Sequence, residues 1–556
     1  MKQTFRAKCS KYISFLLAVV LLLGIVYYQY TRMHENTDHH LVYALDDTYI
    51  HMAMAKNLAK HGVYGVTKYE FSSSSSSPVW TLLLSLFYVI VGVNEWLPLV
   101  LNILIAIMVL YVMYKILISN NVNQFVIAII LIVAIFIIPM SALIFVGMEH
   151  LLHALLTLVY VWLLTYLIKK PNRRQLILLY ILTPILVMTR MEGYFIVAGA
   201  IIVCAIFKKW KEGLVVLLLS LIPLLVYQYI SIKQGWQWLP NSIIIRSEGS
   251  LLNDIDTHNT VLPYVPASWL NLYYGILWNV ESYTYLVKIV LIDVLIGISI
   301  LLQGKTFKND NLIMLFVFAV ATVCHLMLGK FGFFYRYEAY IVTLSIFMFG
   351  MMLEPYIKIV RNNFKKLSQI IILLLIIKFM IDAKDGIINR INGSMRTTPL
   401  ACKNIYEQQF QMAKFVKFYY PKSTIAINDI GAITFFNDDI RIIDIVGLAD
   451  KDVFNLLMAN NYNAETLHQL CQKRGADIAM MYESWAPLCG FKNIPKEWNK
   501  VCDWRWTYKI VCADNVVSFF AIDRMEKNEM RQKMSEFMKE LPPSVQVMFT
   551  EELLVR

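Results

Sequence analysis

The sequence predicts an α-helical polytopic membrane protein of about eleven transmembrane helices with a C-terminal extracytoplasmic α/β domain, and three observations carry that expectation. Hydrophobic residues make up 58% of the 556 and charged residues only 16%, a balance foreign to a soluble chain of this length. Apolar runs near the ~18–20 residues needed to cross about 30 Å of hydrocarbon recur from Tyr12 to about Asp382. Beyond Asp382 these runs stop, which divides the chain into a membrane module, 1–382, and a soluble domain, 383–556.

The net charge of +12 does not point to nucleic acid. Most Lys and Arg stand in short clusters at the ends of apolar runs, where the positive-inside rule puts cytoplasmic loops. Lys2, Arg6, Lys8 and Lys11 precede a first apolar run that is followed by Gln29 to Met33 rather than by a small-residue cleavage site, so an uncleaved anchor is expected. The further cytoplasmic clusters are Lys169 to Arg174, Lys208 to Lys211, Lys305 to Lys308 and Lys358 to Lys366. Alternation then places the spans near 12–30, 97–117, 124–146, 150–168, 175–190, 193–207, 214–231, 284–302, 311–329, 339–355 and 367–382. The run from Pro78 to Val93 is short for a span and is expected to lie in or on one leaflet; the alternative is that it crosses and one basic loop breaks the rule. Two outer loops, 31–96 and 232–283, and the soluble domain come out on one face.

No repeat of 20–50 residues is visible, and the only low-complexity stretch, Ser72 to Ser77, is expected to be a flexible loop tip. Five cysteines, Cys402, Cys471, Cys489, Cys502 and Cys512, lie in the soluble part, so a disulfide is open to it, with at least one thiol left over. In that part Thr424 to Asn428, Asp477 to Met481 and Val516 to Ile522 read as strands and Ala464 to Lys473 as a helix. Asp438-Asp439 falls in a turn, and no GxGxxG, P-loop or CxxC pair is present.

Chemistry is concentrated in the first outer loop. Asp46 and Asp47 open a helical pattern that continues through Thr48, Tyr49, Ile50 and His51 to Gly62. Helix capping accounts for one aspartate; a carboxylate that takes the proton of an attacking hydroxyl or amide accounts for either.

The segments Asp46 to Ile50, Ala55 to Leu58 with Gly62, and Ser76 to Leu83 resemble the first-loop signature of bacterial GT-C glycosyltransferases, particularly the terminal arabinofuranosyltransferase-like branch. Gly147-Met148-Glu149 looks like that branch's Gly-(Leu/Met)-Glu segment and Thr189 to Gly193 like its Arg-Pro-Glu-Gly turn. Leu239 to Ser242 with Arg246, Phe334 to Tyr337, Asn428 to Ala432 and Asp444 to Leu448 resemble its later segments, so the likeness samples most of the chain in order. It departs where Met191 replaces the usual proline, Met52 and Met54 flank Ala53 where an Arg-Tyr pair is common, and Arg246 replaces a lysine.

The resemblance implies a GT-C fold in a bacterial cytoplasmic membrane, its active site on the periplasmic side, and inverting transfer of a sugar from a polyprenyl-phosphate carrier to a glycan, lipid or protein acceptor. Asp46 would be the general base and Asp47 its neighbour positioning acceptor or base. Arg190, Arg336 and Arg246 would face the carrier phosphate, and Glu149, Glu192, His51 and Asn241 the substrates. The residues themselves also allow plainer roles: Arg190 and Glu192 can pair with each other, Arg336 can snorkel to headgroups, and Glu149 and His150 can simply start a span. Trp236, Trp238, Trp269 and Trp278 fit an interfacial belt. The chemistry requires neither metal nor other cofactor, because a polyprenyl phosphate is already a good leaving group, and nothing suggests a nucleotide-sugar pocket. Two rivals remain: a transporter or flippase, for which Asp293 and Lys378 are ionisable groups within spans, and a non-catalytic envelope assembly protein. The sequence names neither sugar, acceptor nor oligomeric state.

Overall fold

All eleven expected spans are helical in the computed structural model, which describes residues 2–169, 171–238, 241, 283–302, 310–363, 366–487, 493–522 and 527–550. Among the described residues, seven helices are long and apolar enough to cross a membrane: Tyr12–Asn36, Leu97–Ser119, His150–Lys169, Trp210–Lys233, Thr284–Leu301, Asp310–Leu328 and Ala339–Arg361. The expected span 124–146 is two helices, Gln124–Ile137 and Met140–Val146, bent by 43°. Pro139 stands in the break, where it can neither donate a helical hydrogen bond nor let the preceding turn continue unkinked. Taken as one span, the pair makes an eighth. The helix Pro78–Val91 has 14 residues; at ~1.5 Å per residue it reaches about 21 Å, too short to cross about 30 Å of hydrocarbon upright.

The chain folds into two compact units, one of Met1–Gln29, Pro98–Val226 and Asn259–Arg396, the other of Tyr30–Leu97, Tyr227–His258 and Thr397–Arg556. The first outer loop thus belongs to the same compact unit as the C-terminal α/β region. The expected boundary at 382/383 falls inside a single helix, Leu367–Ile405, and the compact units part later, at Arg396/Thr397.

The first unit is a helical bundle. Its small residues mark close approaches: a Cβ added to Gly199 would meet the Val317 backbone at 3.1 Å, and one added to Gly193 the Leu186 carbonyl at 2.7 Å. Asp293 and Lys378 both have local partners, Asp293 accepting from Ser345 and Lys378 pairing with Asp382 at 3.0 Å.

The second unit is built on a six-stranded sheet of order β2-β1-β3-β5-β4-β6. Its strands are β1 (Thr424–Ile427), β2 (Arg441–Asp444), β3 (Ala476–Met481), β4 (Asn499–Arg505), β5 (Val516–Ala521) and β6 (Gln546–Phe549). β1 pairs in parallel with β2 and β3, while β3/β5, β5/β4 and β4/β6 are antiparallel. All four residues of β1 are buried, as expected of a parallel strand covered on both faces. Ala426, Ile443, Val453, Leu467, Ala479 and Phe520 form its core with neighbouring apolar side chains.

Two expectations change here. The serine run is no flexible tip: Ser72, Ser73, Ser74, Ser75 and Ser77 are buried. Their hydroxyls are satisfied internally, Ser72 with Ser74 at 2.8 Å, Ser75 with Thr81 at 3.1 Å and Ser73 with Tyr227 at 2.7 Å. Composition alone reads such a run as solvated, but a folded chain can bury hydroxyls wherever it supplies partners. The cysteines Cys402, Cys471, Cys502 and Cys512 are free and buried, so no disulfide forms among the described residues; Cys489 lies outside them.

Candidate functional site

The helix Asp46–His61 starts after Leu45, which has no side-chain capping bond, and ends at Gly62, whose φ of +70° suits a left-handed cap. Asp46 and Asp47 occupy its first turn. The capping role expected for one of them is realised elsewhere in this unit: the Asp46 carboxylate accepts from the backbone amides of Gly431 (to Oδ2, 2.7 Å) and Ala432 (to Oδ1, 2.8 Å). These residues open the helix Gly431–Phe436. Gly431 has no room for a side chain, since an added Cβ would lie 2.2 Å from the Asp46 carbonyl oxygen and 2.7 Å from its Oδ2.

A third carboxylate joins the pair. Asp429 follows β1 by two residues and accepts at Oδ2 from Tyr482 OH (2.7 Å) and Gln409 Nε2 (2.7 Å). Tyr482 in turn accepts from Gln408 Nε2 at 2.5 Å and follows directly on β3. Cys512 Sγ lies 3.5 Å from Gln409 Oε1. Burial pushes the Asp46 carboxyl up to about 8; Asp429 and, more weakly, Asp47 push the same way, and the Ala432 and Gly431 amides pull back. Burial also raises Asp429, against its Tyr482 and Gln409 donors.

Two further expected site residues of this unit, His51 and Asn241, are held by polar contacts. His51 is buried, its Nδ1 3.0 Å from Thr81 Oγ1 and its Nε2 3.4 Å from Ser76 Oγ. Asn241 donates its amide to the Gly447 carbonyl at 3.0 Å and its backbone N–H to the Ser73 carbonyl at 3.2 Å. Lys56, also buried, donates to the Thr434 and Phe435 carbonyls and pairs with Asp438. Arg246, Trp269 and Trp278 lie outside the described residues.

The first unit contains the other group. Arg190, at the C-terminal cap of Arg173–Thr189, donates through Nε and Nη2 to the two oxygens of Glu192 (3.0 and 2.8 Å) and through Nη1 to Glu149 (2.7 Å). All three are buried or nearly so. Arg336 is 2% exposed, its guanidinium over Phe333 (4.5 Å) and Tyr337 (5.0 Å), with Nη1 3.1 Å from Met148 Sδ. The segment leading to it is unusual: Gly332, Phe333, Phe334 and Tyr335 all have positive φ, from +42° to +78°. Bulky residues adopt that region only where the surroundings hold them there. Glu338 accepts from the Gly332 amide (2.8 Å) and from Arg390 (2.7 Å).

Asn428 to Ala432 belongs to the segments that resemble the GT-C branch but has no role expected from sequence, and neither Tyr482 nor Gln409 carries a sequence signal of its own. The usable signal was positional. Asp429 follows an expected strand of an α/β region, and such strand ends are where α/β sheets place functional groups. Among the described residues no group of three or more His, Cys, Asp or Glu is arranged to hold a metal ion.

These features define a multi-pass membrane protein carrying an α/β unit with a carboxylate centre. Residues 403–520 match a family described as a domain of unknown function (DUF8728), a stretch that includes Asp429 and Tyr482 but not the first-loop aspartates. Two solved structures of ArnT from Cupriavidus metallidurans align with the chain. The one bound to undecaprenyl phosphate has a TM-score of 0.48 and 10% identity over 90% of this chain and 97% of that one. The apo structure gives 0.46 and 11% over the same shares. No curated protein matches the chain.

Proposed function

We propose that the protein is a GT-C type membrane glycosyltransferase that moves a sugar from a polyprenyl-phosphate donor to an envelope glycan, lipid or protein acceptor at the periplasmic face of the cytoplasmic membrane, inverting the anomeric centre. The observation that carries the proposal is the state of Asp46. Its carboxylate is fixed by two backbone amides, and burial with neighbouring carboxylates raises its proton affinity into the range useful for a general base near neutral pH. Asp46 takes the acceptor proton as the acceptor attacks, and Asp47 orients acceptor or base. The segments resembling the GT-C branch add independent support, because they recur in order along the chain.

The carrier phosphate is assigned to Arg336, Arg190 and Arg246. Guanidinium pairs with phosphate oxygens in a fork and stays ionised at any relevant pH. Arg190 divides its charge between Glu149 and Glu192, so Arg336 is given the larger share. Glu149, Glu192, His51 and Asn241 are assigned to substrate binding. A transporter would place ionisable groups within its spans, and only a few, such as Asp293 and Lys378, stand there.

The experiment is an assay of purified wild type and Asp46→Asn with a panel of synthetic polyprenyl-phosphate sugars, paired with mass analysis of envelope glycans from a strain lacking the gene. Loss of transfer in the variant and a missing sugar in the strain support the proposal. Transfer at the wild-type rate by Asp46→Asn would overturn the role of Asp46, and an unchanged envelope would overturn the reaction.

A further inference from the structure

The α/β unit has a feature its scaffold role does not require. In the order β2-β1-β3 the chain leaves β1 to build β2 on one side and then returns to build β3 on the other. At such a parting of connections the carboxyl ends of neighbouring parallel strands leave a crevice, and α/β folds place functional groups in it. Asp429 lies just beyond the carboxyl end of β1 and Tyr482 just beyond that of β3. They meet there, phenol to carboxylate at 2.7 Å. Two residues past Asp429 the same loop delivers the Gly431 and Ala432 amides that grip Asp46. One short segment therefore both orients the aspartate and carries a second carboxyl that acts on it.

We propose that Asp429, anchored by Tyr482 and Gln409, is a positioning residue for the transfer reaction, acting on substrate only through Asp46. This rests on the reading of Asp46 as the base. Its physical content is electrostatic. A like charge nearby disfavours ionisation, so an ionised Asp429 makes Asp46 hold its proton more strongly, and the base formed on deprotonation is stronger in proportion. Tyr482 and Gln409 favour the ionised form of Asp429 by donating to it, against the burial that raises it. They do so without bringing a positive charge that would cancel its effect.

Among the described residues, the titratable and donor groups acting on Asp46 and Asp429 come from several elements. From the helix Asp46–His61 come Asp47 and Tyr49; from the loop after β1, Asp429 with the Gly431 and Ala432 amides; from the end of β3, Tyr482; and from the segment before β5, Cys512. Burial raises Tyr49, Tyr482 and Cys512 well above their ordinary values, so they stay neutral around pH 7. Asp429 is the stronger of the two carboxyl neighbours that act on Asp46, and Asp47 the weaker.

The test is difference infrared titration of the full-length protein in lipid nanodiscs, the Asp46 carboxyl band being assigned by its loss in Asp46→Asn. Asp429→Asn is expected to lower the Asp46 midpoint by on the order of one pH unit, and Asp429→Glu to restore most of it. Tyr482→Phe is expected to shift it the same way by less, since Asp429 then loses one donor to its ionised form. A merely structural Asp429 would leave the midpoint where it is, and that result overturns the proposal. If Asp429→Asn fails to fold, Tyr482→Phe decides, an unmoved midpoint again overturning it. No sugar or lipid donor enters this measurement, so it separates the two readings: a shifted midpoint together with normal transfer by Asp46→Asn would keep the coupling and discard the base.

Discussion

The two polar centres of this protein solve the problem of buried charge in opposite ways. Around Arg190 unlike charges meet: one guanidinium serves Glu192 in a fork and Glu149 with its remaining arm. Around Asp46 like charges gather, with Asp47 and Asp429 as neighbours. Their donors are neutral, two backbone amides, a phenol and a carboxamide. The first arrangement lowers its own energy and resists change. The second leaves a carboxylate with a raised proton affinity that the fold must hold in place, and strained electrostatics of this kind concentrates at functional sites. Charge balance, more than burial, sets the two centres apart.

The largest expected effect tests the reactive side of that comparison. Asp46→Asn keeps the size of the side chain but cannot accept the acceptor proton, so transfer is expected to fall by ~10²–10⁴-fold, the usual worth of a positioned base. The wild-type kcat/KM should rise as pH increases through the Asp46 value of about 8, because the base is active only when deprotonated. The checks are initial rates for both proteins from pH 6 to 10, with size-exclusion profiles to confirm that the variant is folded. A flat wild-type profile would remove Asp46 from the chemistry.

On the balanced side, Arg190→Ala removes the guanidinium that Glu149 and Glu192 share. Breaking a buried pair in this way costs about 3–5 kcal/mol, so a large fall in the thermal midpoint is expected in detergent or nanodiscs. Glu149→Gln should cost less, as Glu192 still holds the fork. Equal stability of Arg190→Ala and wild type would mean that the cluster is not the structural element its geometry implies.

The contrast also explains what could be read in advance. The eleven apolar runs became helices because span length and apolarity are local properties of the chain, and Asp46 stood out as a carboxylate opening a helix beyond a membrane exit. The partners of Asp46 were not legible in the same way. Gly431 and Asp429 are nearly four hundred residues distant in sequence, and only the register of β1 against β3 brings Asp429 to Tyr482. The serine run misled for a related reason. Composition says what a segment can expose, while the partners that bury it, Tyr227 and Thr81 among them, come from elsewhere in the chain.

Gly431→Ala probes placement without touching any charge. The new methyl cannot occupy a point 2.2 Å from the Asp46 carbonyl oxygen, so loop and aspartate must move apart. A displacement of about 1 Å at a reacting group costs roughly a hundredfold in rate, and a loss of that order is expected with KM for donor little changed. Arg336→Ala should act on the other parameter. Loss of a charge-assisted contact is worth about 1.5–3 kcal/mol, roughly ten- to a hundredfold in donor dependence, and Lys should rescue only part because it lacks the fork. Titrating donor against each purified variant separates the two. Unchanged donor dependence in Arg336→Ala would remove Arg336 from the carrier site.

The smallest effect comes from a neutral contact between the two extremes and calibrates both. Ser77 caps the helix Pro78–Val91: its hydroxyl accepts from the Trp80 amide at 3.3 Å, and Pro78 fills the first helical position, where a missing N–H costs nothing. Ser77 and Trp80 are both fully buried, so in Ser77→Ala no water replaces the lost acceptor. The expected cost is ~1 kcal/mol, the ordinary worth of a cap, seen as a small fall in thermal midpoint. Neither Ser77 nor its partner carries charge, and neither is among the groups that shift Asp46, so the pH profile of transfer should keep its midpoint. A midpoint that moved in Ser77→Ala as far as in Asp429→Asn would show that any loosening of the first loop retunes Asp46, and the distinction drawn between charge and scaffold in this unit would have to be given up.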